Sequence, residues 1–177
     1  MKSALFLDRD GVINVDYGYV YRPDQIEFID GIFELVEAAK NANFLVVIVT
    51  NQAGIGRGYY TEEDFFDLMD WMKEQFVEHR GQIDAVYFSP YHPEFGIGEY
   101  KRESKCRKPS PGMLLQAKDE FNIDMVNSLL IGDNLSDMVA GKKAGVGKLL
   151  LFGREEVEKG YLTIKNLSDA LPMLLEF

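Results

Sequence analysis

The sequence predicts an α/β fold: a Rossmann-like, three-layer arrangement of a parallel sheet with helices on both faces. Short apolar runs with strand character alternate with segments whose apolar residues recur at helical spacing. Helical connections between strands indicate β-α-β units, which build parallel sheets covered on both faces. The 177 residues suffice for a substantial core, and no repeat or linker interrupts the pattern, so we predict one domain over residues 1–177.

Five apolar runs are predicted to be strands. They are rich in aliphatic and β-branched residues, as is typical of strands buried in a parallel sheet. Because helical segments separate them, we expect them to lie parallel within one sheet. The predicted strands are Ala4–Leu7, Leu45–Val49, Ile83–Phe88, Ser128–Ile131 and Lys148–Phe152.

The predicted helices begin and end at residues with capping preferences. Thr61 is a predicted N-cap, because acidic residues that favour a first turn follow it. Pro111 is predicted at the first position of a helix, and Gly145 is predicted to end one. The predicted helices run from Ile32 to near Asn41, from Thr61 to Phe76, from Ser110 onward, from Leu135 to Ala144, and from Ser168 to Glu176.

Composition narrows the classes of function. The net charge of −10 argues against nucleic acid or an anionic membrane as partner. No apolar run reaches the length of a membrane span, and the chain enters its first strand without a signal peptide. The single cysteine, Cys106, excludes an internal disulfide and fits a reducing compartment. We therefore expect a cytoplasmic protein, and we predict a monomer.

Polar residues suited to catalysis follow the predicted strands or precede helices. The carboxyl ends of parallel strands meet at one edge of a sheet, which is where such sheets bind ligands. Residues that are distant in sequence should therefore converge there. They are Asp8 and Asp10 after the first strand, Thr50, Asn51 and Gln52 after the second, Lys108 before the third helix, and Asp133 and Asp137 after the fourth strand.

This set of residue types suits phosphoryl transfer. Asp8 could attack phosphorus and form an aspartyl-phosphate, and Asp10 could move a proton. Two anions approach each other only with charge neutralisation, which Mg²⁺ held by Asp8 and Asp133 would supply. Thr50, the backbone N–H groups after it and Lys108 could bind the phosphoryl oxygens.

The same residues resemble the four motifs of the haloacid dehalogenase superfamily of phosphatases. The resemblance implies that Asp8 is the nucleophile and that Asp10 is the general acid and then the base. It also implies that the Asp10 backbone carbonyl and Asp133 complete the protein ligands of Mg²⁺ begun by Asp8. Asp137 would orient Lys108 or the waters of the metal. Dehalogenases lack the second aspartate of the first motif, so dehalogenation is disfavoured.

Longer stretches are similar to the histidinol-phosphatase-like branch, and within it to D-glycero-D-manno-heptose 1,7-bisphosphate phosphatases. They are residues 6–14 (FLDRDGVIN), 49–58 (VTNQAGIGRG) and 106–113 (CRKPSPGM). The resemblance implies removal of the 7-phosphate in nucleotide-heptose biosynthesis. It also implies a fold without a large cap domain, in which loops alone cover the site.

The sequence departs from many members of this branch at a structural zinc site. Where those members carry Cys-x-His and Cys-x-Cys, this chain has Ser89, Tyr91 and Ser104, and only Cys106 remains. One thiolate and the displaced His92 do not make a four-coordinate site. We predict that zinc is not bound, that His92 is a loop residue and that Cys106 is an inert thiol.

A phosphorylated sugar is the predicted partner, because an acidic chain needs a local basic patch to bind an anion. Five cations lie between positions 101 and 108, and Arg57 lies in the glycine-rich turn after the second strand. Guanidinium groups can bind phosphate in a bidentate manner. The predicted substrate-binding residues are Asn51, Gln52, Arg57, Arg107 and Lys108.

Other functions fit parts of the pattern. Histidinol phosphate or another sugar phosphate could be the substrate. A receiver-like signalling module also uses an acidic pair, a Thr and a Lys, but its phosphorylated Asp follows a middle strand. Here the third predicted strand is followed by Ser89 and Pro90, which disfavours that alternative. A catalytically silent binding protein is disfavoured because every motif residue is present.

Overall fold

A computed structural model describes residues 1–153 and 161–175. Six strands form one sheet in which every neighbouring pair is parallel. The strands are β1 (Ala4–Leu7), β2 (Leu45–Asn51), β3 (Ala85–Ser89), β4 (Leu129–Gly132), β5 (Lys148–Phe152) and β6 (Leu162–Ile164). Their spatial order is β3-β2-β1-β4-β5-β6, which is the order of a Rossmann-like sheet.

Helices connect the strands, as the predicted β-α-β units require. The α-helices are α1 (Ile32–Asn41), α2 (Ala53–Gly56), α3 (Glu62–Glu78), α4 (Gly112–Phe121) and α5 (Leu135–Ala144). Short 3₁₀-helices cover Pro23–Gln25, Gly98–Tyr100 and Leu167–Leu175.

The alternation of side chains along the strands produces two hydrophobic cores, one on each face of the sheet. In β1, Leu5 and Leu7 belong to the core formed with α1, α3 and the 3₁₀-helix Leu167–Leu175. Ala4 and Phe6 belong to the core on the opposite face, formed with α4 and α5. All four side chains are fully buried. The predicted three-layer α/β architecture is therefore confirmed.

The sheet topology brings two functional loops together. Chain order reverses between the central strands β1 and β4, which are direct neighbours with Leu7 opposite Ile131. The backbone N–H of Asp8 still donates to the carbonyl of Ile131, at 3.1 Å. The loops that carry Asp8 and Asp133 thus leave the sheet side by side, at the switch point where such folds bind ligands.

Several local predictions are confirmed. Thr61 caps α3, because its hydroxyl accepts from the backbone N–H of Asp64 and the Asp64 carboxylate accepts from the Thr61 N–H in return. Helix α5 has the predicted bounds and ends at Gly145, whose φ of 82° lies in the left-handed region. β1 and β5 also have the predicted bounds.

Other local predictions were wrong. Pro111 is the N-cap of α4 and not its first residue. The last predicted helix is a 3₁₀-helix with Pro172 inside it, because proline lacks the N–H that an α-helix interior requires. Its predicted last residue, Glu176, lies outside the described residues. The sequence patterns also missed β6 and α2, which have three and four residues and are too short for periodicity.

No helix in ranges 1–153 and 161–175 has both the length and the apolar character that crossing a membrane requires.

Candidate active site

Asp8 lies at the carboxyl end of β1 and is almost completely buried, with 8% exposed. Its Oδ1 accepts from Lys108 Nζ at 2.8 Å and from the backbone N–H of Arg9 at 2.9 Å. Burial raises the pKa of Asp8 well above its ordinary range, and the charge of Asp137 adds to this, while Lys108 opposes it. The carboxylate is therefore poorly solvated and held in one orientation by a cation.

The ammonium group of Lys108 is the cation that contacts the Asp8 carboxylate. Its Nζ lies 2.8 Å from Asp8 Oδ1, 2.5 Å from Asp137 Oδ1 and 2.8 Å from the carbonyl of Val49. Burial alone would lower the pKa of Lys108, but Asp8 and Asp137 together raise it above its usual value. Two of its N–H groups donate hydrogen bonds, to Asp8 and to the Val49 carbonyl, and its contact with Asp137 is an ion pair.

The backbone of Lys108 is clamped as well. Asn51 Nδ2 donates to the Lys108 carbonyl at 3.1 Å, and Asn51 Oδ1 accepts from the Lys108 backbone N–H at 3.0 Å. The prediction that Asn51 binds substrate stays a prediction, because both polar atoms of its side chain bind protein groups.

Three carboxylates form a cluster around this ion pair. Oxygens of Asp8, Asp133 and Asp137 all lie within 4.8 Å of one another. Burial, and then the charge of Asp137, raise the pKa of Asp133. Asp137 is fixed at the start of α5, where its Oδ2 accepts from the Asn134 N–H at 3.0 Å. Crowded, partly desolvated carboxylate oxygens fit a small, hard divalent cation such as Mg²⁺.

Gly11 makes room for this cluster. Its φ of 88° lies in the left-handed region, and a Cβ added there would lie 2.2 Å from Asp133 Oδ2. Only glycine satisfies both requirements, so the turn after β1 and the carboxylate after β4 fit together at this point.

Asp10 faces a different set of partners from Asp8. Its carboxylate accepts from Arg9 Nη2 at 2.8 Å, from Asn14 Nδ2 at 3.0 Å and from Gln52 Nε2 at 3.1 Å. It lies outside the carboxylate cluster described above. The predicted metal ligand at this position is its backbone carbonyl, and that role stays a prediction.

Arg9 is a functional residue that the sequence reasoning missed. Its side chain is fully buried, which is rare for arginine. Its guanidinium pairs with the Asp10 carboxylate and donates to the carbonyl of Val20 at 2.7 Å. The available signal was the placement of one cation directly between two motif carboxylates.

Thr50 and Gln52 lie beside Asp10. Thr50 is the sixth residue of β2 and is 1% exposed. Gln52 Nε2 donates to Thr50 Oγ1 at 2.9 Å as well as to Asp10. The structure therefore brings three of the residues predicted after the first two strands, Asp10, Thr50 and Gln52, into one hydrogen-bonded group.

A cavity of about 380 Å³ opens beside Gln52 and the carboxylates of Asp8 and Asp10. Its walls include Asp8, Asp10, Gln52, Lys108, Arg107 and Tyr19. Tyr19 comes from the loop after β1, which covers one side. The cavity has room for a small phosphorylated molecule.

Two neighbouring arginines, Arg107 and Arg57, form no salt bridge with an acidic residue in ranges 1–153 and 161–175. Burial and the neighbouring Arg57 guanidinium lower the pKa of Arg107. Arg57 stacks on the ring of Phe95 at 4.3 Å, and its Nε is buried with no hydrogen-bond partner in the described part of the chain. Arg107 is one of the residues that line the cavity, and Arg57 is not.

The loop between β3 and Lys108 is held by polar and aromatic contacts. His92 Nδ1 accepts from the backbone N–H groups of Glu94 and Phe95, at 3.2 and 3.1 Å, which confirms His92 as a loop residue. The N–H of His92 donates to the carbonyl of Tyr100 at 3.0 Å. Tyr100 Oη in turn donates to Glu62 Oε1 of α3 at 3.0 Å. These contacts connect the loop to itself and to α3; the prediction that zinc is not bound stays a prediction.

The fold and the site together define a hydrolase of the haloacid dehalogenase superfamily. A family model described as HAD-hydrolase-like matches residues 105–166. The match includes the motif residues Lys108, Asp133 and Asp137, which lie in the site described above.

Comparison with known proteins narrows this class. A D-glycero-alpha-D-manno-heptose-1,7-bisphosphate 7-phosphatase from Burkholderia mallei is 53% identical, over 97% of this chain and 93% of its own. A D-glycero-beta-D-manno-heptose-1,7-bisphosphate 7-phosphatase from Vibrio cholerae is 49% identical, over 96% and 92%. The D,D-heptose 1,7-bisphosphate phosphatase of B. bronchiseptica, crystallised with magnesium and phosphate, superposes with a TM-score of 0.85 at 27% identity and covers 99% of both chains. The chain belongs to the family of the D-glycero-D-manno-heptose-1,7-bisphosphate 7-phosphatases.

The contact between Gly11 and Asp133 leads to a first prediction. Gly11→Ala should weaken Mg²⁺ binding by about 10- to 100-fold, because the new Cβ displaces a cluster carboxylate. Isothermal titration calorimetry with MgCl₂ measures this directly. Gly145→Ala is the matched control, since Gly145 has nearly the same φ but open space around it. The control should lose stability and keep its Mg²⁺ affinity; equal affinities in both variants would contradict the role of Gly11.

Proposed function

We propose that the protein is a Mg²⁺-dependent phosphomonoesterase that removes the 7-phosphate of D-glycero-D-manno-heptose 1,7-bisphosphate. The observation that carries the proposal is the buried Asp8 carboxylate, held 2.8 Å from Lys108 Nζ inside an acidic cluster. Family membership supports the substrate class. Such a reaction would serve nucleotide-heptose biosynthesis.

In the first step, Asp8 attacks the phosphorus of the 7-phosphate. The bond between phosphorus and the sugar oxygen breaks, and Asp10 gives its proton to that oxygen as the alcohol leaves. Lys108 and the Thr50 hydroxyl bind phosphoryl oxygens, so negative charge on the transferring group is neutralised. The product on the enzyme is an aspartyl-phosphate.

In the second step, water attacks the phosphorus of the aspartyl-phosphate. Asp10, now a carboxylate, takes the proton of that water, and the bond between Asp8 and phosphorus breaks. Inorganic phosphate leaves and Asp8 is restored. Asp10 thus serves first as the general acid and then as the general base, because the first step leaves it as a carboxylate that can accept a proton.

The residues that would hold Mg²⁺ are Asp8, Asp133 and the backbone carbonyl of Asp10, with Asp137 orienting Lys108 or the metal's waters. When bound, Mg²⁺ supplies positive charge between the nucleophile and the phosphoryl oxygens. Burial, and then the charge of Asp137, raise the pKa values of Asp8 and Asp133, and a cation bound there would offset both effects.

Arg107 and Arg57 would bind the remote phosphate of the substrate. Neither forms a salt bridge with another described residue, so their charge is available in an otherwise acidic protein. Arg107 lines the cavity, and Arg57 stacks on the rings of Phe95 and Tyr19. Histidinol phosphate is the weaker candidate, because its amine and imidazole would meet this cationic wall.

Turnover should depend on Asp8. Asp8→Asn should lose about 10³-fold or more in kcat, because the amide cannot form the phosphoenzyme. Phosphate release with Mg²⁺ measures the loss. Asp119→Asn, an exposed substitution on α4, is the matched control and should keep full activity. Wild-type turnover in Asp8→Asn would remove the nucleophile assignment.

The substrate is tested with a panel after other metals are removed. The panel contains both anomers of D-glycero-D-manno-heptose 1,7-bisphosphate, histidinol phosphate and fructose 1,6-bisphosphate. We expect kcat/KM for one heptose anomer to exceed the other values by about 10²-fold or more. A flat, weak profile would keep the phosphatase mechanism and reject the heptose substrate.

Arg107 should act on the remote phosphate alone. Arg107→Ala should raise KM for the bisphosphate by about 10-fold or more, the expected cost of a charge-assisted phosphate contact. KM for a simple aryl phosphate should change little. Arg102→Ala, which removes an exposed cation stacked on Tyr91 in the same loop, should change neither. Equal effects of Arg107→Ala on both substrates would exclude the role.

A further inference from the structure

We propose that Gln52 is a positioning residue that aligns Asp10 and the Thr50 hydroxyl, rather than a residue that contacts the substrate. Gln52 is 2% exposed although it borders the cavity. Its Nε2 donates to Asp10 Oδ2 at 3.1 Å and to Thr50 Oγ1 at 2.9 Å, and its Oε1 accepts from Tyr60 Oη. The inference rests on the proposed phosphatase reaction and assigns a role within it.

The orientation of the Gln52 amide follows from its partners. The NH₂ group faces the Asp10 carboxylate, whose oxygens also accept from Arg9 and Asn14. The amide oxygen then faces Tyr60, whose hydroxyl must donate. Burial raises the pKa of Tyr60 above its ordinary value, which keeps this donor protonated. The hydrogen bonds from Tyr60 through Gln52 to Asp10 therefore all run from donor to acceptor in the same direction.

The contact with Thr50 directs its hydroxyl proton. A hydroxyl has one proton and two lone pairs, and Gln52 occupies one lone pair. Within residues 1–153 and 161–175, the recorded acceptor for the Thr50 proton is the Asn51 carbonyl at the long distance of 3.5 Å. The proton is thus available for a phosphoryl oxygen. Gln52 links the group that binds the phosphate to the group that protonates the leaving oxygen.

Tyr60, at the far end of this series of hydrogen bonds, is closely packed in the protein. The Tyr60 ring is 5% exposed and stacks on Tyr21, with ring centres 5.1 Å apart. A Cβ at Gly54 would lie 2.3 Å from the Tyr60 ring, so that side of the ring is closely packed. The backbone N–H of Gln52 donates to the Ser89 carbonyl at the end of β3, at 2.8 Å. These contacts leave the Gln52 side chain little freedom.

The test compares leaving groups. The nitrophenolate of p-nitrophenyl phosphate leaves without a proton, whereas a sugar alcohol needs one. Gln52→Met keeps the bulk and removes the hydrogen bonds. We expect kcat/KM for the heptose bisphosphate to fall by about 10²-fold, and that for p-nitrophenyl phosphate by about 10-fold or less. Tyr60→Phe should show the same bias with smaller losses and little risk to the fold.

Two further variants separate this role from others. Asn51→Ala acts on Lys108, which serves both substrates, so its losses should be equal for the two. In an Asp10→Asn background, Gln52→Met should cause no further loss specific to the sugar substrate, because the group it positions is gone. An additive loss there would overturn the proposal.

Two other kinetic results for Gln52→Met would also test the positioning role. A raised KM for the heptose bisphosphate at unchanged kcat would make Gln52 a substrate contact, and equal losses on both substrates would make it merely structural. Either result overturns the positioning role. Failure of the proposed function is recognised separately, since wild-type protein would then hydrolyse neither substrate with Mg²⁺.

Discussion

The site depends on one constraint: a lysine ammonium and several carboxylates share a buried space at the centre of the sheet. Lys108 Nζ lies within 2.8 Å of oxygens from Asp8, Asp137 and Val49. Removing one partner of a buried ion pair costs about 3–5 kcal/mol, because the other charge is left without compensation. The surrounding elements therefore have to deliver all these groups together, and the topology does so at the switch between β1 and β4.

The groups that surround Asp8 differ from those that surround Asp10. Asp8 sits against Lys108 and the acidic cluster, where its charge is costly and calls for a metal cation. Asp10 is two residues away but is surrounded by donors from Arg9, Asn14 and Gln52. Two carboxylates of one short motif thus face different electrostatic surroundings although only one residue separates them.

The sequence alone predicted the parts of the site that depend on sheet geometry. Asp8 and Asp133 could be placed together because the ends of parallel strands share one edge, whatever their separation in sequence. Arg9 and the Tyr60–Gln52 contact could not be found this way. Their burial depends on groups such as the Val20 carbonyl and the Tyr21 ring, which reach the site through loops without periodicity. Strand β6 was missed because three residues carry too little pattern.

The charged groups of the site differ in what holds them in place. Asp8, Asp133 and Asp137 lie just after strands or in the first turn of α5, and the two cores fix these elements. Lys108 lies in an irregular segment, where the Asn51 side chain and the ion pairs hold it. Arg57 and Arg107 come from irregular segments held by contacts such as the stacking of Arg57 on Phe95 and the donation from Arg107 Nη1 to the Tyr91 carbonyl at 3.2 Å. Loops tolerate sequence change better than cores do. Changes in such loops can therefore alter the surroundings of the site while Asp8 and Asp133 keep their places after β1 and β4.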